Sequence, residues 1–200
     1  AEVVFVDEQL GILFDYLKKN NLNQNTLVIL TSDHGESLDE HGIYFDHHGL
    51  YDVNIKVPLV IGHSDLPESR LSGFIQHTDL MPTILDFIGV ESKIEFDGQN
   101  ILPLILSKMD SSSEIIITEE AYTQRKRSVR DKKYKYIKSF SKESSVCRYC
   151  GVIHGGLEEL YDLENDPDEI LNLINERPEI AKEMKEKLRK WFKSIEERYS

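Results

Sequence analysis

The densest run of chemically able side chains lies between Asp33 and Asp52. It holds Asp33, His34, Glu36, Asp39, Glu40, His41, Asp46, His47, His48 and Asp52. Asp33 and His34 follow directly on an apolar run, Thr26 to Thr31, and precede Gly35, which permits a tight turn. A carboxylate and an imidazole placed there can be aimed at one cation. Oxygen ligands suit Ca²⁺, Mg²⁺ or Mn²⁺, and an added imidazole admits Mn²⁺ or Zn²⁺. Asp-His-Gly by itself describes equally well a polar loop whose Asp caps a short helix. His41 is expected beside a site or in solvent rather than as a ligand, and His63 and His154 read as surface histidines. Cys147-Arg-Tyr-Cys150 with His154 has metal-like spacing. A zinc site takes four ligands and only three are local, so a disulfide or free thiols is the preferred reading over zinc or iron–sulfur.

The elements that must position these groups follow from periodicity. Phe5, Ile12 and Leu13, with Leu10 and Leu17 near them, mark the apolar face of an opening helix. Asn20 to Asn25 reads as a turn. Thr26-Leu-Val-Ile-Leu-Thr31 is continuous and β-branched, as in a buried parallel strand, with Ser32-Asp33-His34 at its C-terminal end, where ligands gather in open α/β sheets. Val57 to Ile61 is a second strand. Leu80 to Gly89 is a helix with Pro82 in its first turn and Gly89 as its stop. Ile115 to Thr118 is a third strand. Beyond Ser111-Ser-Ser113, a plausible boundary, the pattern changes. Tyr134 to Lys138 alternates like a half-exposed strand, Glu159 to Leu163 like another, and Pro178 to Tyr199 is an amphipathic helix with Ile180, Met184, Leu188, Trp191, Phe192 and Ile195 on one face. The fold class expected is α/β: a mainly parallel sheet, then a small antiparallel sheet with a terminal helix. The domains expected are 1–110 and 111–200.

Composition excludes several classes. The 200 residues are 40% hydrophobic and 30% charged, a globular balance. Net charge −12 speaks against a general nucleic-acid binder. No apolar run approaches the roughly 18 residues that span a membrane. The two cysteines rule out a disulfide scaffold. Against the acidic background, Arg125, Lys126, Arg127, Arg130, Lys132, Lys133, Lys135 and Lys138 form a basic cluster, read as a solvated hairpin ahead of a device that steers anions. Ala1 follows no initiator Met and opens inside a helix, so the chain is expected to be the C-terminal part of something longer. Any signal peptide would then lie upstream, which leaves the compartment open, with the cytoplasm slightly favoured. Nothing in the residues fixes an oligomeric state.

In order along the chain stand Phe5-Val-Asp-Glu-Gln-Leu-Gly11, Asp33-His-Gly-Glu36, Glu40-His-Gly42, Leu50-Tyr-Asp52, Lys56-Val-Pro-Leu-Val60 and His77-Thr-Asp-Leu-Met-Pro-Thr83. Asp97-Gly-Gln99, Leu102-Pro-Leu104, Arg127 to Ile137, Glu159-Leu-Tyr-Asp-Leu163, Asp166-Pro-Asp-Glu169 and Asn172-Leu173 follow. Together they resemble the C-terminal part of a sulfatase (arylsulfatase-like) of the alkaline phosphatase superfamily. One such motif is weak; the ordered series is specific. The resemblance implies that Asp33 and His34 are two of the ligands of a divalent metal, most often Ca²⁺ in sulfatases and Mn²⁺ or Zn²⁺ in related hydrolases. It implies an anionic sulfate or phosphate ester as substrate; charge and the lack of a long apolar run lead to the expectation of neither nucleic acid nor membrane as partner.

The sequence also departs from that family. Four residues before Tyr51 the family commonly carries a lysine that binds sulfate oxygens; here the position is His47. His47 can donate to an anionic ester when protonated, or protonate a leaving oxygen, and His48 is an alternative for substrate contact. The family nucleophile, a Cys or Ser in Cys/Ser-x-Pro-x-Arg that becomes formylglycine in true sulfatases, is absent from the chain. Formylglycine is expected only in the missing N-terminal part. The 200 residues are therefore expected to be inactive alone. The alternatives are a phosphodiesterase or phosphonate monoester hydrolase of the same superfamily, or a non-catalytic metal-binding module.

Overall fold

The computed structural model describes residues 2–109 and 113–199; Ser111 and Ser112 of the expected boundary loop lie outside them. The chain packs as two units, Ala1–Ser32 with Pro58–Ser111, and Asp33–Val57 with Ser112–Ser200. The second unit thus takes in residues 33–57, which the division at 110 and 111 assigns to the first domain.

In the first unit, helix α1 (Glu2–Lys19) forms as its periodicity predicts, with Lys18 and Lys19 in the last turn, where cations suit the helix dipole. None of its residues is buried, and only Leu10 and Leu17 are half-buried, while Phe5, Ile12 and Leu13 are exposed. Strands β1 (Val28–Thr31) and β2 (Leu59–Gly62) pair antiparallel, from Val28 opposite Gly62 to Thr31 opposite Leu59. The expected mainly parallel sheet is therefore corrected: among the described residues both sheets are antiparallel. A continuous apolar run reports burial, not direction, and direction depends on the strand that lies alongside. Leu27, Ile29 and Ile61 face Leu80, Ile84 and Phe87 of helix α3 (Leu80–Phe87) and Leu102 and Ile105 of helix α4 (Leu102–Ser107). The Asp79-Leu-Met-Pro-Thr83 segment is a structural tie. Asp79 Oδ2 accepts from Gln76 N–H at 2.7 Å and Oδ1 from Gln99 N–H at 2.7 Å, while Thr83 Oγ1 accepts from Ile101 N–H at 3.0 Å. One capping carboxylate thereby satisfies two backbone donors and docks residues 97–101 on the helix start.

The second unit is a four-stranded antiparallel meander in the order β3 (Ile116–Glu120), β4 (Lys126–Arg130), β5 (Tyr134–Ser139) and β6 (Glu158–Asp162). Alternation sends successive side chains to opposite faces. Val129, Tyr136 and Leu160 pack under Ala181, Met184 and Leu188 of helix α5 (Pro178–Tyr199), the apolar stripe read from the sequence. Ile137 and Tyr161 point the other way and pack under Ile43, Leu50 and Tyr51, just before the short helix α2 (Asp52–Ile55). The sheet is thus covered on both faces and is not a half-exposed hairpin.

That second cover corrects the basic cluster. Lys126 and Lys135 are buried. Lys135 Nζ meets Asp52 Oδ1 at 2.5 Å, Glu169 Oε1 at 2.7 Å and the Leu50 carbonyl at 3.2 Å, and Arg130 sits 3.3 Å from Asp52 Oδ2. Lys126 Nζ meets Glu159 Oε1 at 3.0 Å and donates to the His154 carbonyl at 2.6 Å. Tyr51 and Tyr161 donate their hydroxyls to Glu159 Oε2 at 2.8 and 2.7 Å, and burial beside that carboxylate raises both phenols above their ordinary range. Both buried lysines are paired and hydrogen-bonded, the condition under which a buried charge is tolerable.

Lys135→Met is expected to destabilise the protein by about 3–5 kcal/mol in urea unfolding, because buried Glu169 loses its cationic partner and Asp52 keeps only Arg130. Lys133→Ala, which removes a solvent-screened pair with Glu164 at the surface, should leave the unfolding midpoint nearly unchanged. Asp131 accepts from Lys187 Nζ at 2.8 Å and from the N–H groups of Lys133 and Tyr134 at 2.9 and 2.7 Å. Burial pushes its carboxyl up, but these donors hold it below the usual 3.8. Its contribution is then present above pH 3.8 and lost as pH falls through the lower folded value. Asp131→Asn should flatten that acid limb of a melting-temperature profile, and an unchanged limb would count against the assignment.

Candidate functional site

Residues 33–57 fold as a closed loop. Ser37 N–H donates to the Asp46 carbonyl at 2.9 Å and Asp46 N–H to the Ser37 carbonyl at 3.2 Å. This bridge brings Glu36 beside His47. Within the loop, Glu40 Oε2 accepts from the N–H groups of Leu38 and Asp39 at 2.7 and 3.1 Å and from Ser37 Oγ at 3.2 Å. Those backbone donors hold the Glu40 carboxyl down at about 2. His41 and Phe45 take left-handed backbone, φ 58° and 47°, so the turn is tight without being glycine-only.

Gly35 decides how Asp33 and His34 are presented. Its N–H donates to the Asn54 carbonyl at 2.7 Å, and a Cβ on it would run into the Val53 carbonyl oxygen. Only glycine lets the strands of the loop approach this closely. His34 Nδ1 lies 2.8 Å from the Gly35 carbonyl, which can only accept, so that nitrogen carries the proton and Nε2 is the metal-capable atom. His34 Nε2 is 3.6 Å from Asp33 Oδ2, a separation two ligands of one cation can adopt. A carboxylate oxygen and a lone-pair imidazole nitrogen at this spacing fit a divalent ion on chemical grounds.

The structure brings His47 to this pair. Its ring stacks on His34 with centroids 4.1 Å apart and planes at 21°. His47 Nδ1 lies 3.7 Å from Glu36 Oε2 and 3.6 Å from Asp46 Oδ1. His34, Glu36 and His47 can each offer one atom to a common point at the surface. Glu36 was visible in the acidic run but not singled out; its position two residues past His34 was the available signal. His48 goes elsewhere. It is buried, its Nδ1 faces Asp46 Oδ2 at 3.4 Å and its Nε2 faces Cys147 Sγ at 3.8 Å. Burial pushes Asp46 up, but the His47 N–H and the His48 ring hold its carboxyl below the usual range.

His41 is half-buried rather than solvent-facing: its ring stacks on Tyr51 at 3.5 Å, and burial pushes its pKa down. His154 is buried, contrary to the surface reading, because its loop folds under residues 41–48. The His63 side chain is largely covered too, edge-on to Phe87 at 4.8 Å.

Residues 1–90 match the family model described as Sulfatase. The ulvan-active sulfatase of Formosa agariphila is 32% identical over 86% of this chain, which covers 38% of that protein. The multifunctional alkaline phosphatase superfamily protein PehA of Trinickia caryophylli is 31% identical over 86% of the chain, which covers 34% of it. A solved structure, described as a complex with its substrate D-glucosamine-2-N,6-O-disulfate, is 26% identical and superposes with a TM-score of 0.82 over 98% of this chain and 40% of its own. The chain thus spans little more than a third of the curated relatives it matches. With residues 1–90 inside the family model and the same fold continuing through the sheet and terminal helix, the chain is similar over nearly its whole length to the C-terminal region of sulfatases of the alkaline phosphatase superfamily.

Proposed function

We propose that this chain carries part of the divalent-metal site and the ester-contacting histidine of a sulfuric ester hydrolase. The observation that carries the reading is the cluster of Asp33 Oδ2 and His34 Nε2 at 3.6 Å, with the His47 ring stacked on His34 at 4.1 Å. Asp33 and His34 hold the metal, with Ca²⁺ the first expectation and Mn²⁺ or Zn²⁺ admitted by the imidazole. A bound divalent cation would supply charge neutralisation to an anionic ester. Glu36 and Asp46 hold the Nδ1 edge of His47, so the Nε2 edge meets the substrate, donating to a sulfate oxygen or handing a proton to the leaving oxygen. The Tyr51 and Asp52 anchors keep the loop from drifting, and positioning of this kind is itself catalytic. The substrates named for the ulvan-active relative and the disulfated-glucosamine complex support a sulfated carbohydrate as the ester.

These residues contain no Cys/Ser-x-Pro-x-Arg nucleophile, so the 200-residue chain alone is expected to turn over no ester. A phosphonate or phosphodiester hydrolase is the second reading. It is favoured by the likeness to the multifunctional relative and by an imidazole at position 47.

The natural protein that contains this chain should be assayed on an aryl sulfate, an aryl phosphonate and a phosphodiester. Preference for the sulfate by kcat/KM supports the first reading, and preference for either phosphorus ester supports the second. Turnover of none, with metal still bound, would leave a binding module. Asp33→Asn and His47→Gln are each expected to lower kcat/KM by about 10²-fold or more. Gly35→Ala should lower both activity and stability, the latter by about 1–3 kcal/mol, since a backbone oxygen blocks the added methyl group.

A further inference from the structure

Three buried side chains from two separate segments converge away from Asp33 and His34, with the exposed Cys150 beside one of them. Cys147, His48 and His154 are buried and offer Sγ and two ring nitrogens within 4.8 Å of one another. Cys147 Sγ lies 3.8 Å from His48 Nε2, and Cys150 Sγ lies 3.1 Å from His154 Nε2. In a tetrahedral zinc site, sulfur and nitrogen ligands stand about 3.6 Å apart, given the usual Zn–S and Zn–N lengths. The two measured separations bracket that value.

The surroundings of each ligand point the same way. The N–H groups of Tyr149 and Cys150 are directed at Cys147 Sγ, Gly151 N–H donates to the Cys147 carbonyl at 2.9 Å, and Gly151 has φ +74°. Burial pushes the Cys147 thiol up, and the two N–H groups on its sulfur offset part of that rise. His48 presents Nε2 to Cys147 Sγ while its Nδ1 faces Asp46 Oδ2 at 3.4 Å. His154 presents Nε2 to Cys150 Sγ, while its ring N–H on the far side is held by the backbone carbonyls of His41 and Gly42. The carbonyls behind His154 fix the tautomer that makes its front nitrogen a ligand, while Asp46 stands behind His48 Nδ1 without closing a hydrogen bond. The fourth ligand was illegible in sequence because His48 is about a hundred residues from Cys147 along the chain.

We propose that Cys147, Cys150, His154 and His48 bind one structural Zn²⁺. A Cys147–Cys150 disulfide would use only the sulfurs and leave two buried imidazoles, ring centroids 5.0 Å apart, converging on nothing. A two-iron cluster held by two Cys and two His would put the sulfurs and nitrogens on different metals, too far apart for these contacts. With four protein ligands the site is closed, so its part is structural. It clamps the 147–154 loop to residues 41–48 and thereby fixes the segment that carries His47. The inference does not depend on the ester reading, because it rests on other residues.

The test uses the natural protein that contains this chain, purified under reducing conditions without a metal-affinity step. Elemental analysis should find one equivalent of zinc that Cys150→Ser and His154→Ala each remove. Titration of the wild type with a mercurial should release that zinc in step with modification of the two thiols. If the variants fail to fold, the cobalt(II)-exchanged wild type still decides: sulfur-to-cobalt charge transfer and tetrahedral ligand-field bands are expected. Octahedral bands without charge transfer would overturn the site. So would a disulfide mass loss under native conditions, iron in place of zinc, or zinc retained in full by the Cys150→Ser protein. Asp33→Asn should leave this zinc untouched, which separates its fate from that of the ester site.

Discussion

Two lysines buried inside the C-terminal sheet are the constraint on which the second unit depends. Lys135 and Lys126 cannot reach water, so each must find its counter-charge within the fold. Lys135 finds Asp52 and Glu169, and Lys126 finds Glu159, whose other oxygen takes the hydroxyls of Tyr51 and Tyr161. Two of these partners, Tyr51 and Asp52, end the loop that begins at Asp33. The charges of the sheet therefore decide where the loop lies. A hydrophobic interface could be as stable, but it would tolerate sliding; a lysine with defined carboxylate partners does not.

The motifs that carry the family likeness divide into two kinds of work. Asp33, His34 and His47 are exposed and have atoms aimed outward. Tyr51-Asp52, Glu159-Leu-Tyr161, Glu169 and Asn172 are internal fasteners. Asn172 Oδ1 accepts from the N–H groups of Leu160 and Ile174 at 3.0 Å each, and Asp166 accepts from those of Ile170 and Leu171 at 3.1 and 2.8 Å. Asp79 and Thr83 do the same for residues 97–101 in the first unit. A motif match along this chain is thus mostly a match in how loops are tied down, and only at one end a match in chemistry.

Neighbouring histidines show how little residue type alone says. His47 and His48 are adjacent, both have Asp46 within reach, and both were candidates for contact with the ester, His48 as the alternative. The Ser37–Asp46 bridge turns His47 toward His34, while the backbone carries His48 under the loop toward Cys147. Extended backbone at successive residues sends side chains to opposite sides. One becomes part of the exposed cluster and the other part of the buried one.

The sequence by itself determined the elements and the family likeness. Local periodicity set α1, α3, α5 and the meander strands β3, β5 and β6, because those patterns concern neighbours within a few residues. The ordered motifs marked Asp33 and His34 as the chemical pair, because adjacency in sequence guarantees adjacency in space. Only the tertiary structure decided strand direction, the burial of Lys126 and Lys135, the fate of His48 and His154, and the grouping of residues 33–57 with the C-terminal sheet. Each of these depends on partners far apart along the chain, as Lys135 and Asp52 are. Periodicity carries no information about which distant segment will supply a counter-charge or a fourth ligand; packing does.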